Sequence, residues 1–144
     1  MNSLDLQEKI VVFVRAFGLH RGEETPCGQP IGVADAYVLM ELERDTELSQ
    51  RDLVERLNLA KSTVSRLINQ MMKKGWVERS RHPVDKRVWL CRLTAEGKKL
   101  AGNVTQARTE KFTNILDQIP PEKQGEILNS LHVLVEATRD ANKK

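Results

Sequence analysis

Along this chain the apolar positions fall into helical phase in several separate stretches, and one segment between them shifts to a strand-like pattern. Near the N-terminus Leu6, Ile10, Phe13, Val14 and Phe17 line one face of a helix predicted over residues 4–19. The following stretch, His20 to Gly32, is punctuated by Pro26, Gly28, Pro30 and Gly32 and reads as a loop. Helical phase resumes from Val33 to Leu42 through Ala36, Leu39 and Leu42, then meets a polar break from Glu43 to Glu47.

Between Leu48 and Thr94 the pattern is denser. A short helix from Ser49 to Leu57 opens on Ser49 as N-cap with Asp52 three residues on, in the manner of a capping box, and Leu48 and Leu53 flank it as a hydrophobic staple. Asn58-Leu59-Ala60 is a turn, since Asn tolerates left-handed backbone. A second helix runs from Lys61 to Lys74 with Val64, Leu67, Ile68, Met71 and Met72 on its buried stripe, and Gly75 closes it as a left-handed cap. Trp76 to Ser80 and Val88 to Leu93 then read as two strands joined by Arg81 to Arg87. Thr94 caps a long helix to about Asp117, and Pro120-Pro121 interrupts it. In the last helix Ile127, Leu128, Leu131, Leu134, Val135 and Thr138 fall in phase.

Two helices, a tight turn and a basic hairpin in that order predict a mainly α fold: a winged helix-turn-helix with a small β-hairpin wing. The N- and C-terminal helices carry more apolar surface than such a lobe can cover, and a helical dimer interface is the expected use of it. We therefore read residues 1–144 as a single domain, with the winged lobe at 33–94 and dimerisation helices at 1–20 and 95–144. No apolar run approaches the ~18 residues of a membrane helix, no secretory pattern opens the chain, and a cytoplasmic protein without a membrane partner is expected.

Charge sharpens this picture. The net charge is only +3, but residues 49–99 hold 13 Lys/Arg against 5 Asp/Glu, a net +8, whereas residues 1–48 are at −5 and residues 100–144 are neutral. The polyanion contact thus falls on the segment that carries the helix-turn-helix. On the second helix, the stripe opposite the apolar one is centred on Ser62, Arg66, Asn69 and Lys73, with Thr63, Gln70 and Ser65 on its flanks and no acid. Every one of these side chains can donate a hydrogen bond, as a phosphate or a guanine edge requires. The candidate DNA contacts are Ser49, Lys61, Ser62, Thr63, Ser65, Arg66, Asn69 and Lys73 on the helices and Arg81, Lys86 and Arg87 in the wing, where a basic hairpin fits a minor groove.

In its order of parts the chain resembles the MarR family of bacterial transcription regulators. The resemblance is carried by Leu48-Ser49-Gln50-Arg51-Asp52-Leu53, Lys61 to Leu67, Lys74-Gly75-Trp76-Val77-Glu78-Arg79, and above all by Asp85-Lys86-Arg87 followed by Leu93-Thr94-Ala95-Glu96-Gly97. It implies that Ser62, Thr63, Ser65 and Arg66 occupy recognition-helix positions and that Asp85 and Arg87 brace the wing through a salt bridge. It also implies a homodimeric repressor of palindromic double-stranded DNA, released by a ligand that is commonly a small aromatic acid. Two positions depart from the family pattern: Ala60 stands where relatives often carry a capping Ser or Asp, and Lys86 replaces the first Arg of an Arg-Arg pair.

Other chemistry is sparse. Cys27 and Cys91 lack metal-site or redox spacing, and a disulfide between them is not expected in a reducing compartment. His20, Glu23, Glu24 and Cys27 have the chemistry of zinc ligands but lie on a loop that need not converge, so no metal or other cofactor is predicted. Cys27 is a candidate redox sensor, and Arg15, His20 and Tyr37 are candidates to hold a carboxylate or phenol. The histidines, His20, His82 and His132, are scattered and none is paired with Cys27 in a nucleophile motif, which argues against an enzyme. The alternative to a DNA-binding regulator is a winged-helix protein-interaction module whose basic face meets an acidic protein.

Overall fold

Side chains fix the helix starts at three places. In the computed structural model, which describes residues 1–143, Asn2 accepts the N–H groups of Leu4 and Asp5 at 2.9 and 3.0 Å while Asp5 accepts the Asn2 N–H at 2.8 Å. This capping box starts α1 (Ser3–Phe17) and was not anticipated, although Asn and Asp at that spacing are its sequence mark. After the loop comes α2 (Val33–Arg44), two residues longer than its apolar phase because Glu43 and Arg44 extend it on the solvent side. The Ser49–Asp52 box forms as expected, at 3.0 and 3.1 Å, and starts α3 (Gln50–Leu57). Asn58, with φ +52° and ψ +46°, turns the chain toward α4 (Lys61–Lys73).

The end of α4 is coupled to the start of the next long helix. Gly75, at φ +80°, lets its own N–H reach Met72 O and the Trp76 N–H reach Met71 O, the paired bonds of a Schellman cap. Across from it Thr94 does three things: its N–H donates to Trp76 O at 3.0 Å, its hydroxyl donates to Gly75 O at 2.6 Å, and its own Oγ1 accepts the Gly97 N–H at 3.0 Å. A Cβ on Gly97 would lie 2.0 Å from Trp76 O, so only glycine permits this approach.

Between the two ends lies the sheet. The predicted hairpin is present as β2 (Val77–Arg81) and β3 (Trp89–Leu93), paired antiparallel with Val77 opposite Leu93 and Arg81 opposite Trp89. A further strand, β1 (Leu48–Ser49), pairs with the other edge of β3, so the order is β1-β3-β2 and the sheet has three strands rather than two. Two residues are too few to show a period, and Ser49 serves both as strand and as helix cap. Leu39, Leu42, Leu53, Val64, Ile68, Met71 and Cys91 form the solvent-free centre of the core. Arg56 ties α3 to α2 through Glu41, at 3.2 Å, and Asp45.

The chain divides into two compact units, Met1–Arg108 and a second from Thr109 onward. The long helix α5 (Ala95–Asp117) begins in the first, with Ala101 and Val104 in the core, and ends in the second. The second unit also contains α6 (Pro121–Asn142), which begins after the predicted Pro120-Pro121 break. Neither α1 nor α6 buries any residue: Phe13 is 55% and Leu131 50% exposed. Among the described residues no helix is long and apolar enough to cross a membrane.

Candidate nucleic-acid interface

The two faces of α4 separate as its periodicity requires. Val64, Ile68 and Met71 have no solvent contact, whereas Lys61, Ser62, Arg66, Asn69, Gln70 and Lys73 are exposed and Thr63 and Ser65 half-buried. None of Lys61, Arg66 and Lys73 enters an ion pair among the described residues, so their charge is not spent within the fold. Ala60 supplies no side-chain cap. The first N–H groups of α4 are therefore left to solvent or a ligand, at the end of the helix where the macrodipole favours an anion.

Beside α4 stands the wing. Arg87 meets Asp85 through Nε at 3.1 Å and Nη2 at 3.4 Å, and its backbone N–H donates to the same carboxylate at 3.1 Å. These bonds, the side-chain ones foremost, hold the Asp85 carboxyl below the usual Asp value. The pair leaves the Arg87 side chain 91% exposed. Lys86 and Val84 are exposed in the same loop.

Trp89 is enclosed by two cations. The Arg81 guanidinium lies 3.7 Å from its ring centre and that of Arg79 lies 4.1 Å away, because Arg79 and Arg81 are two residues apart and share a face of β2. Arg81 also donates to Lys86 O at 2.6 Å, so this predicted DNA contact is engaged in holding the wing loop. Arg79 donates to Gln50 Oε1 at 2.9 Å and so links the wing sheet to the first residue of α3. The sequence reading missed Arg79, Gln50 and Trp89; their alternation was visible, but the cross-strand register that joins them was not. Together with Arg51, Lys61 and Arg87 they line a cleft of about 680 Å³ between the helix-turn-helix and the wing.

Ser49, also a candidate DNA contact, is half-buried, and its hydroxyl oxygen accepts the Asp52 N–H as the expected N-cap. Arg15, His20 and Tyr37 are all exposed, and among the described residues no hydrogen bond or ion pair joins any two of them. Cys27 is a half-buried free thiol. Among the described residues no three His, Cys, Asp or Glu side chains are placed to hold a metal ion, the His20, Glu23, Glu24 and Cys27 loop included. Cys91 is buried, and burial pushes its thiol up to about 11, which keeps it protonated and unreactive at neutral pH.

With this geometry in hand, comparison with known proteins is specific. A family model described as the MarR family matches residues 30–88. The uncharacterized HTH-type transcriptional regulator YdgJ of Bacillus subtilis is 29% identical over 85 residues, which is 59% of this chain and about half, 52%, of its own length. A MarR transcriptional regulator from Methanosarcina mazei is 27% identical with a TM-score of 0.74, covering 95% of this chain and 99% of that one. Streptococcus pneumoniae FabT, crystallised in complex with DNA, shares the fold with a TM-score of 0.81 at 18% identity, covering 97% and 99% of the two chains.

Proposed function

Because this chain belongs to the MarR family of winged helix-turn-helix transcription regulators, we propose that it acts as a homodimer on a palindromic operator, as a repressor that a small aromatic ligand releases. The observation that carries the DNA half of this reading is the acid-free face of α4, whose Lys61, Arg66 and Lys73 have no ion-pair partner among the described residues, set beside a basic wing. In this reading Ser62, Thr63, Ser65, Arg66 and Asn69 address base edges in the major groove, and Lys61 and Lys73 address phosphate. Lys86 and Arg87 reach the adjoining minor groove, and Asp85 sets the direction of Arg87.

The apolar faces of α1 and α6 support the dimer, and the fold shared with FabT, crystallised in complex with DNA, supports duplex DNA as the ligand. Release by a ligand rests on family membership, with Arg15, His20 and Tyr37 as the groups to vary. Selection of bound fragments from a pool of random duplexes tests the reading. Enrichment of a palindrome, with half-sites about one helical turn (~34 Å) apart, is the expected result. Failure to retain any duplex at low salt would overturn it in favour of a protein-interaction module.

A further inference from the structure

The loop between β2 and β3 opens on His82-Pro83, and the imidazole of His82 folds back over it. Its Nδ1 accepts two backbone N–H groups, those of Val84 and Asp85, each at 3.1 Å. Acceptance from residues two and three positions ahead is how an Asn or Asp side chain closes a turn, so an imidazole here stands in the place of a carboxamide. The loop is then completed by backbone: His82 N–H donates to Val88 O at 2.9 Å and Val88 N–H to Asp85 O at 3.0 Å. Asp85, fixed at its N–H by the imidazole, is the residue that holds Arg87.

A ring nitrogen that accepts has no proton of its own, so this arrangement requires neutral imidazole with its proton on Nε2. Protonated imidazole carries a donor at both nitrogens and turns the two contacts at Nδ1 from attraction to repulsion. We propose that His82 is a positioning residue of the wing: neutral, it closes the loop and places Asp85 and Arg87, and its protonation opens the loop and weakens DNA binding. The proposal rests on the reading above that the wing meets DNA.

The charged residues that flank His82 in the chain are Arg81 on β2 and Asp85, Lys86 and Arg87 in the loop itself, and of these Asp85 interacts with the ring electrostatically. Asp85 is already engaged by Arg87. Two effects of acidification therefore have opposite signs. A positive charge added to a wing that faces phosphate tightens binding, whereas loss of two turn hydrogen bonds weakens it.

The test uses the full chain and the duplex enriched by selection, compared at about pH 7.5 and about pH 5.5. Wild type is expected to lose about tenfold in affinity across that range, and the Val84 and Asp85 amide resonances of the free protein to move with the same midpoint. His82→Asn offers an Oδ1 acceptor at the same reach and does not titrate, so it keeps the neutral-pH affinity and shows a flat profile. His82→Ala is weak at both ends. Tighter binding by wild type at acid pH, or His82→Asn sharing the wild-type slope, overturns the proposal. Amides indifferent to pH refute the imidazole cap itself; amides that move while affinity does not refute the placement of the wing on DNA, and with it the positioning role.

Discussion

One guanidinium does different work at Arg66, Arg79 and Arg87 because its surroundings differ. Arg66 is exposed with no partner among the described residues, Arg79 is held between Trp89 and Gln50, and Arg87 is exposed and paired with Asp85. A planar fork free to take both acceptors of one guanine reads sequence, so Arg66→Ala should cost ~1 to 3 kcal/mol of operator binding and relax preference at one operator position. Under the proposed function Lys86, a point charge in the wing, would clamp without reading: Lys86→Ala should weaken operator and random duplex alike and lower the salt slope by about one. Loss of affinity confined to the operator for Lys86→Ala would reverse these roles. Asp85 gives the sharper contrast. Its carboxyl is held below the usual value by Arg87, so Asp85 is ionised at neutral pH and takes up its own proton only as pH falls through that lowered value, below 3.8. Removing a negative charge beside DNA should tighten binding if charge alone matters; if Asp85 aims Arg87, Asp85→Ala should bind more weakly at fixed salt. A titration at one ionic strength gives the sign.

At the scale of elements, what could be read from sequence were features with a period or a cap. The Ser49–Asp52 box, the two-faced α4, the Gly75 stop and the Thr94 start each announce themselves within four or five residues, and each is found where it was expected. β1 was not legible, because two residues have no alternation and its partner β3 lies some forty positions away. The Arg79–Trp89–Arg81 stack was hidden for the same reason, since it exists only in the register of β2 on β3. Gly97 lies between these cases: its place after Leu93-Thr94 was visible, but its reason is the Trp76 carbonyl, which approaches from another element. Backbone cannot move aside as a flexible side chain can. Gly97→Ala should therefore destabilise the fold by at least about 2 kcal/mol in urea denaturation, whereas Gly102→Ala, with open space around the new Cβ, should not. Equal midpoints for the two variants would mean that α5 shifts at little cost.

For the whole molecule the question is what the terminal helices cover. The lobe that carries α3, α4 and the wing has a complete core of its own, yet α1 stacks Phe13 on Phe17 at 5.6 Å and leaves Leu6, Ile10 and Phe13 in solvent. In α6 Leu128, Leu131 and Val135 are likewise exposed. Under the proposed function a second copy covers them: it would supply equally apolar helices and bring a second α4 to the next turn of the same DNA face. Light scattering at micromolar concentration should then give twice the chain mass. Phe13→Glu combined with Leu131→Glu should give a monomer, since a carboxylate in each apolar face stays in water rather than enter an interface. The α4 stripe is untouched by these changes, so the variant should still bind a single half-site at low salt. It should lose the gain that wild type obtains from a second half-site, a factor of about 10² or more when two linked modules engage together. Comparing one- and two-half-site duplexes for both proteins separates the possibilities: a monomeric wild type, or a monomeric variant that retains the two-site gain, would show that DNA recognition here does not depend on pairing through these helices.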